Sequence, residues 1–175
     1  SQFPPGVLQF EVGVQTFDPA IQHLISRKQD NQKTEANLSW LRQHSNTHIH
    51  ADLIAGMPGD TLAGFGASFD KLFALNPQEI QVGILKRLRG APINRHNEAY
   101  QLRYDPLPPY AILSTRDISF TDLQRITRFA RFWDLIGKAK TRVYFCGHDH
   151  LYNRAVVADS AGNEIRQFVV GTGGG

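Results

Sequence analysis

The chain has 175 residues, a formal net charge of +3, 41% hydrophobic residues and 20% charged residues, enough to bury a core and too apolar for a disordered segment. Its 19 Lys and Arg never form a run of five, so no clustered basic footprint for nucleic acid exists. The single cysteine, Cys146, excludes an internal disulfide and any three- or four-thiolate cluster built from this chain alone.

No stretch reaches the apolar length of a membrane span, and Ser1-Gln2-Phe3-Pro4-Pro5-Gly6 carries no targeting pattern. A cytoplasmic protein with neither membrane nor nucleic-acid partner is expected. The missing initiator Met and the closing Gly171-Thr172-Gly173-Gly174-Gly175 give both ends the look of cuts, so a fragment is expected.

Residues 7–15 run toward a continuous apolar segment, the pattern of a strand buried in a parallel sheet. Asp18-Pro19 opens a helix, with Asp as N-cap and Pro at the first helical position, and Ile21, Leu24 and Ile25 form its stripe. A second helix over 34–44 carries Leu38 and Leu41 on one face. Residues 48–55 form the next strand, ended by Gly56-Met57-Pro58-Gly59. The stretch 60–75 is helical, with Phe65, Phe69, Leu72 and Phe73 spaced by three and four, and Asn76-Pro77 stops it. A third strand follows over 79–85. Strand then helix, repeated, is βαβ logic and a parallel sheet.

Ala91-Pro92 and the prolines at 106, 108 and 109 mark a long irregular segment. A last helix over 121–136 presents Leu123, Ile126, Phe129, Phe132 and Trp133. Beyond Gly137 the pattern changes. A short strand over 142–146 precedes a hairpin, 155–158 with 165–170, around the turn residues Ser160-Ala161-Gly162-Asn163. Three regions are therefore expected: 1–136, a junction at 137–141, and 142–175. The expected architecture is α/β, a partial parallel (β/α) barrel followed by a short β-hairpin segment. Its open sheet edges would leave it marginally stable, or dimeric through those edges.

In parallel α/β barrels chemistry gathers at the C-terminal ends of the strands. Gln15 ends the first strand, Asp52 sits within the second, and Arg27 lies on the helical side between them. Gln15 and Asp52 offer directional hydrogen bonds, and Arg27 can hold a carboxylate bidentately. That set suits a ligand carrying a carboxylate and a ribose. Spacing leaves a second reading open, in which Asp52 pairs with Arg27 and Gln15 caps a loop.

Four segments then act together: Glu11-Val12-Gly13-Val14-Gln15, Ser26-Arg27-Lys28-Gln29, Asp52-Leu53-Ile54-Ala55-Gly56-Met57-Pro58-Gly59, and Ile84-Leu85-Lys86-Arg87-Leu88-Arg89-Gly90-Ala91-Pro92. In this order they resemble the later strands of a radical S-adenosylmethionine (SAM) enzyme barrel. The likeness is to the bacterial branch with a cobalamin-binding domain ahead of the barrel, over residues 1–136. The resemblance implies that Gln15, Arg27 and Asp52 hold SAM and that the 54–56 segment, ending at Gly56, lies against adenine. It also implies that backbone at Ile84 and Leu85 borders the site. Glu11 is either a ribose contact or structural. The family also binds a [4Fe-4S] cluster through a CxxxCxxC loop, which this sequence lacks. The cluster, and cobalamin where used, would come from segments absent here, leaving the isolated chain inactive as a radical enzyme on a small-molecule substrate. His48, His50 and His96 are further polar residues, read as core or loop histidines.

A second constellation stands near the C-terminus. Cys146-Gly147-His148-Asp149-His150 follows a short strand, and glycine before an i, i+2 histidine pair permits a sharp turn aiming two imidazoles at metal. With the later Gly171-Thr172-Gly173-Gly174 it resembles the C-terminal part of a calcineurin-like metallophosphoesterase of the purple acid phosphatase branch. The resemblance implies His148 and His150 as divalent-metal ligands, in a family where paired metals hydrolyse phosphate esters. The family's earlier metal-binding motifs are missing. Three readings stand: a SAM-binding half barrel, a phosphoesterase fragment, and a non-catalytic remnant or interaction module.

Overall fold

The computed structural model describes residues 4–5, 7–139, 143–146, 153–158 and 164–169, with side chains described up to residue 137. The chain divides into two compact units, Ser1–Ala130 and Arg131–Gly175.

In the first unit β1 (Gln9–Gln15), β2 (His48–Ala55) and β3 (Glu79–Ile84) form a parallel sheet in chain order. Helices α1 (Pro19–Leu24) and α2 (Asn31–His44) connect β1 to β2, and α3 (Leu62–Ala74) connects β2 to β3. Local chemistry accounts for the helix starts. Asp18 Oδ1 accepts from the amides of Ala20 at 2.7 Å and Ile21 at 3.2 Å, with Pro19 supplying a fixed φ at the first position. Asp30 Oδ1 accepts from Lys33 N at 3.0 Å, so α2 starts at Asn31, three residues before the predicted start. Thr61 Oγ1 caps α3 through Gly64 N at 2.9 Å, so the helix starts at Leu62, two residues after the predicted start.

The core lies on one side of the sheet. Along β2, Ile49, Ala51, Leu53 and Ala55 have no exposed surface, while His48, His50, Asp52 and Ile54 on the alternate positions are half-buried. The period-2 alternation of a strand puts these two sets on opposite faces. The buried residues of this unit include Val14, Ile21, Leu38, Leu72 and Leu123.

The expectation of a fully buried first strand is corrected. β1 is an edge strand, paired on one side only among the described residues, and its first half is open: Phe10 is 43% exposed and Glu11 is exposed, whereas Val14 is fully buried. An apolar run reports burial of faces, not the presence of a second neighbour.

The segment predicted to be irregular has its own structure. A 3-10 turn spans Pro92–His96, and β4 (Arg103–Tyr104) pairs antiparallel with β5 (Ile112–Ser114). The chain around β5 runs back along the end of β3: Ile112 N–H donates to Leu85 O at 2.8 Å and Arg87 N–H to Tyr110 O at 2.9 Å. Helix α4 (Phe120–Ala139) then follows, burying Leu123 and Ile126. Farther along the same stripe Phe129 is 40% exposed, with its ring edge-on to Phe69 at 4.9 Å.

In the second unit β6 (Val143–Cys146) pairs parallel with β8 (Glu164–Val169), and β7 (Asn153–Ala158) pairs antiparallel with β8, giving the order β6-β8-β7. Among the described residues no helix is long and apolar enough to cross a membrane.

Candidate functional site

The site sits where β1 and β2 end. The Gly13↔Asp52 pair is followed by Gln15↔Leu53, so β1 carries one extra residue there. Such a bulge re-aims a side chain. Gln15 takes φ +67°, and Thr16 N–H donates to Val14 O at 2.8 Å, closing a three-residue turn around it. A non-glycine residue at positive φ is held there by its surroundings. The turn brings the Gln15 amide to Asp52, where Nε2 donates to Oδ2 at 2.5 Å.

Gly13 is the centre of the arrangement. A Cβ at this position would lie 3.1 Å from Gln15 Nε2, 3.5 Å from Arg27 Nη2 and 3.7 Å from Asp52 Oδ1. All three residues singled out in the sequence thus converge on one point of the strand left empty by glycine. The open reading in which Asp52 pairs with Arg27 is corrected. Asp52 bonds Gln15, and the Arg27 guanidinium donates through Nη2 to Gly13 O and through Nε to Gln29 Oε1 at 2.8 Å.

An amide network that the sequence did not reveal supports Arg27. Gln22, buried in α1, donates from Nε2 to Thr16 O and to Asn31 Oδ1, each at 2.8 Å, and Asn31 Nδ2 donates to Phe17 O at 2.7 Å. Gln29 joins it through Nε2 to Asn31 Oδ1 at 3.1 Å. The end of β1, helix α1 and the start of α2 are therefore tied by side-chain amides. The available signal was Gly13 itself, since a glycine inside a strand marks a close approach.

Beside this point a cleft of about 470 Å³ is lined by Glu11, Gly13, Arg27, Lys28, Lys33 and Thr34, among others. Three cations, Arg27, Lys28 and Lys33, against two carboxylates, Glu11 and Asp30, leave a small positive excess that favours an anionic group such as a carboxylate, and Arg27 offers the forked donor that a carboxylate accepts.

The other sequence-selected residues fall elsewhere. Gly56 takes φ +87° in the turn after β2, and a Cβ there would lie 2.6 Å from Ile112 Cγ2 and 3.3 Å from Leu123 Cδ2, so packing alone demands glycine. Asp60 is buried close by and accepts from Thr61 N–H at 3.0 Å. Burial lifts its pKa from 3.8 to about 7 against the opposing hydrogen bonds from Thr61 and Gly56, with a further push from Asp18. His48 Nε2 and His50 Nδ1 lie 3.6 Å and 3.4 Å from the same Glu79 oxygen, and His50 Nε2 lies 2.8 Å from Gln81 Oε1. Among the described residues no group of three or more His, Cys, Asp or Glu is placed to hold a metal. His96 Nε2 lies 2.9 Å from Leu24 O. His148 and His150 lie outside the described residues.

A parallel sheet with helices between its strands, carrying polar side chains toward its C-terminal edge, defines an α/β protein. Comparison with known proteins narrows this. A family described as "Protein of unknown function (DUF4080)" matches residues 98–135. The oxygen-independent coproporphyrinogen III oxidase of Cereibacter sphaeroides is 35% identical over 80 residues, 46% of this chain and 18% of that protein. The oxygen-independent coproporphyrinogen III oxidase of Escherichia coli K12 is 32% identical over 77 residues, 44% of this chain and 17% of its own length. The chain thus spans less than a fifth of these relatives. Among solved structures, coproporphyrinogen III oxidase (HemN) from Escherichia coli, a radical SAM enzyme, superposes with a TM-score of 0.53 at 18% identity, covering 96% of this chain and 38% of that one. The archaeal Methanocaldococcus infernus Elp3 superposes with a TM-score of 0.52 at 14% identity, covering 89% and 46%. The chain is thus similar in sequence to these oxidases over less than half of its length, and it shares the fold of HemN and Elp3.

Proposed function

We propose that this chain is the SAM-binding later part of a radical SAM barrel. The convergence of Gln15, Arg27 and Asp52 on Gly13 carries the reading. Asp52 and Gln15 would hold the ribose hydroxyls, Asp52 as acceptor and Gln15 as donor, once a ligand displaces their mutual hydrogen bond. Arg27 would take the carboxylate of the methionine moiety, with Lys28 and Lys33 adding positive potential along the cleft. The 54–56 segment would lie against adenine and the backbone at Ile84 and Leu85 along its edge, with Glu11 at the cleft wall.

SAM bound to a reduced [4Fe-4S] cluster supplies radical chemistry. This chain's residues bind and orient SAM, and its one cysteine cannot supply the cluster's three thiolates, so those would come from other sequence. The relatives carry the proposal to SAM and the cluster; they do not carry it to cobalamin or to a divalent metal at His148 and His150. The free edge of β1 is where a preceding barrel strand would pair, and the substrate would be a small molecule.

Equilibrium dialysis of the chain against labelled SAM tests this. Saturable binding is expected, weakened about tenfold or more by Asp52→Ala, the scale of one buried charged hydrogen bond. Absence of saturable binding, or equal binding by Asp52→Ala, overturns it. After incubation with iron and sulfide the chain is expected to show no cluster absorbance in the visible range.

A further inference from the structure

We propose that Arg95, in the 3-10 turn and outside the cleft lining, is a positioning residue for the SAM-binding site: it locks the turn at Ser26 that delivers Arg27. The inference rests on the reading of Arg27 as a SAM ligand.

Helix α1 ends in a two-bond C-terminal motif. Arg27 N–H donates to Gln22 O at 2.8 Å, and Ser26 N–H donates to His23 O at 3.0 Å. This is the Schellman pattern, in which the residue just past the helix must take the left-handed conformation and is usually glycine. Here that residue is Ser26, at φ +58°, where a Cβ is disfavoured. Such a conformation persists only where its surroundings over-determine it.

Arg95 supplies the surroundings. Its Nη2 donates to Ser26 Oγ at 2.6 Å and to Leu24 O at 3.0 Å, from 69 and 71 residues away in sequence. His96 Nε2 lies 2.9 Å from the same Leu24 oxygen. Leu24 is the last residue of α1, so its carbonyl has no partner within the helix. The 3-10 turn thus caps the helix and grips the strained residue together. A glycine at 26 would make the turn without help but would offer Arg95 no hydroxyl. Serine makes the turn depend on the segment following β3. The very next residue, Arg27, carries the guanidinium that reaches Gly13 O.

The test measures SAM dissociation constants and amide hydrogen exchange at Arg27 for the whole chain and for Arg95→Ala, Ser26→Ala and the double variant Arg95→Ala/Ser26→Gly. Arg95→Ala is expected to weaken SAM binding about tenfold, the scale of a misplaced ligand, and to speed Arg27 exchange. Ser26→Ala removes the hydroxyl, keeps the strain and should act in the same direction. The double variant, in which glycine takes positive φ freely, should return both readings to within about twofold of wild type. A purely structural role for Arg95 would not be rescued by glycine at 26. Unchanged exchange in Arg95→Ala, or a defect that persists in the double variant, overturns the inference. If the wild type binds no SAM, the reading of the site fails, and Arg27 exchange alone decides whether Arg95 holds the turn.

Discussion

The two faces of β2 are made from alternating residues of one eight-residue strand, and they obey different rules. On one face Ile49, Ala51, Leu53 and Ala55 are sealed under the helices. On the other, His48, His50, Asp52 and Ile54 stay partly open, and their partners are side chains of neighbouring strands: Gln15 for Asp52, Glu79 and Gln81 for His50. The first face carries stability through packing. The second carries polar groups whose bonds are exposed enough to be exchanged for a ligand's. Fold and site are thus separable by mutation along a single strand.

The largest effect is expected on the sealed face. Leu53→Ala removes a fully buried side chain and should cost about 2–5 kcal/mol in unfolding free energy by denaturant titration. A loss below about 1 kcal/mol would show that the helices do not close over this face. Gly13→Ala should do the opposite. Its backbone lies outside the left-handed region and its new methyl meets side chains only, Gln15 Nε2 first at 3.1 Å. Melting should barely shift, while SAM affinity falls about tenfold, near 1.4 kcal/mol. Unchanged affinity would move the ligand away from Gly13.

These two residues also show what was legible in the sequence. The strand over 48–55, the Asp18-Pro19 helix start, Gln15 at the end of β1 and Asp52 within β2 are local patterns, and the structure contains all of them. The bulge that turns Gln15 toward Asp52 depends on the β1–β2 register, the Arg95–Ser26 bond on an approach over 69 residues, and the β4–β5 pair on strands too short to show a period. The edge position of β1 depends on what lies beyond it. None of these is written in a window of ten residues.

Asp60 breaks the division, since it places a carboxylate among buried groups just past β2. Folding raises its pKa from 3.8 to about 7, so the folded protein holds this proton more tightly than the unfolded chain. The stability linked to it is complete below pH 3.8 and is lost as pH rises through about 7. Asp60→Asn carries no charge and does not follow that loss. Its melting temperature relative to wild type should therefore rise between about pH 5 and about pH 8, by roughly 2–4 °C for a change near 1 kcal/mol in a chain this size. A gap independent of pH would mean that Asp60 titrates alike in both states.

The smallest effect is expected at Glu79, which faces His48 and His50 on the open side. All three side chains keep access to water, 40% for Glu79 and for His48 and 17% for His50. At 3.4–3.6 Å and in that solvent, such pairs are worth about 0–1 kcal/mol. Glu79→Gln should therefore shift the melting temperature by less than about 3 °C and leave SAM affinity unchanged, since Glu79 meets the two histidines beside the first half of β2 while Asp52 lies further along it and Gln15 ends β1. The result sharpens the two-face division in either direction. A small shift shows the polar face meeting water in solution. A loss approaching that of Leu53→Ala would mean that the face is covered there, because breaking an ion pair is that damaging only when the surviving partners are buried. A second copy packed on this face would provide that cover, and a melting temperature that then rises with protein concentration would identify it.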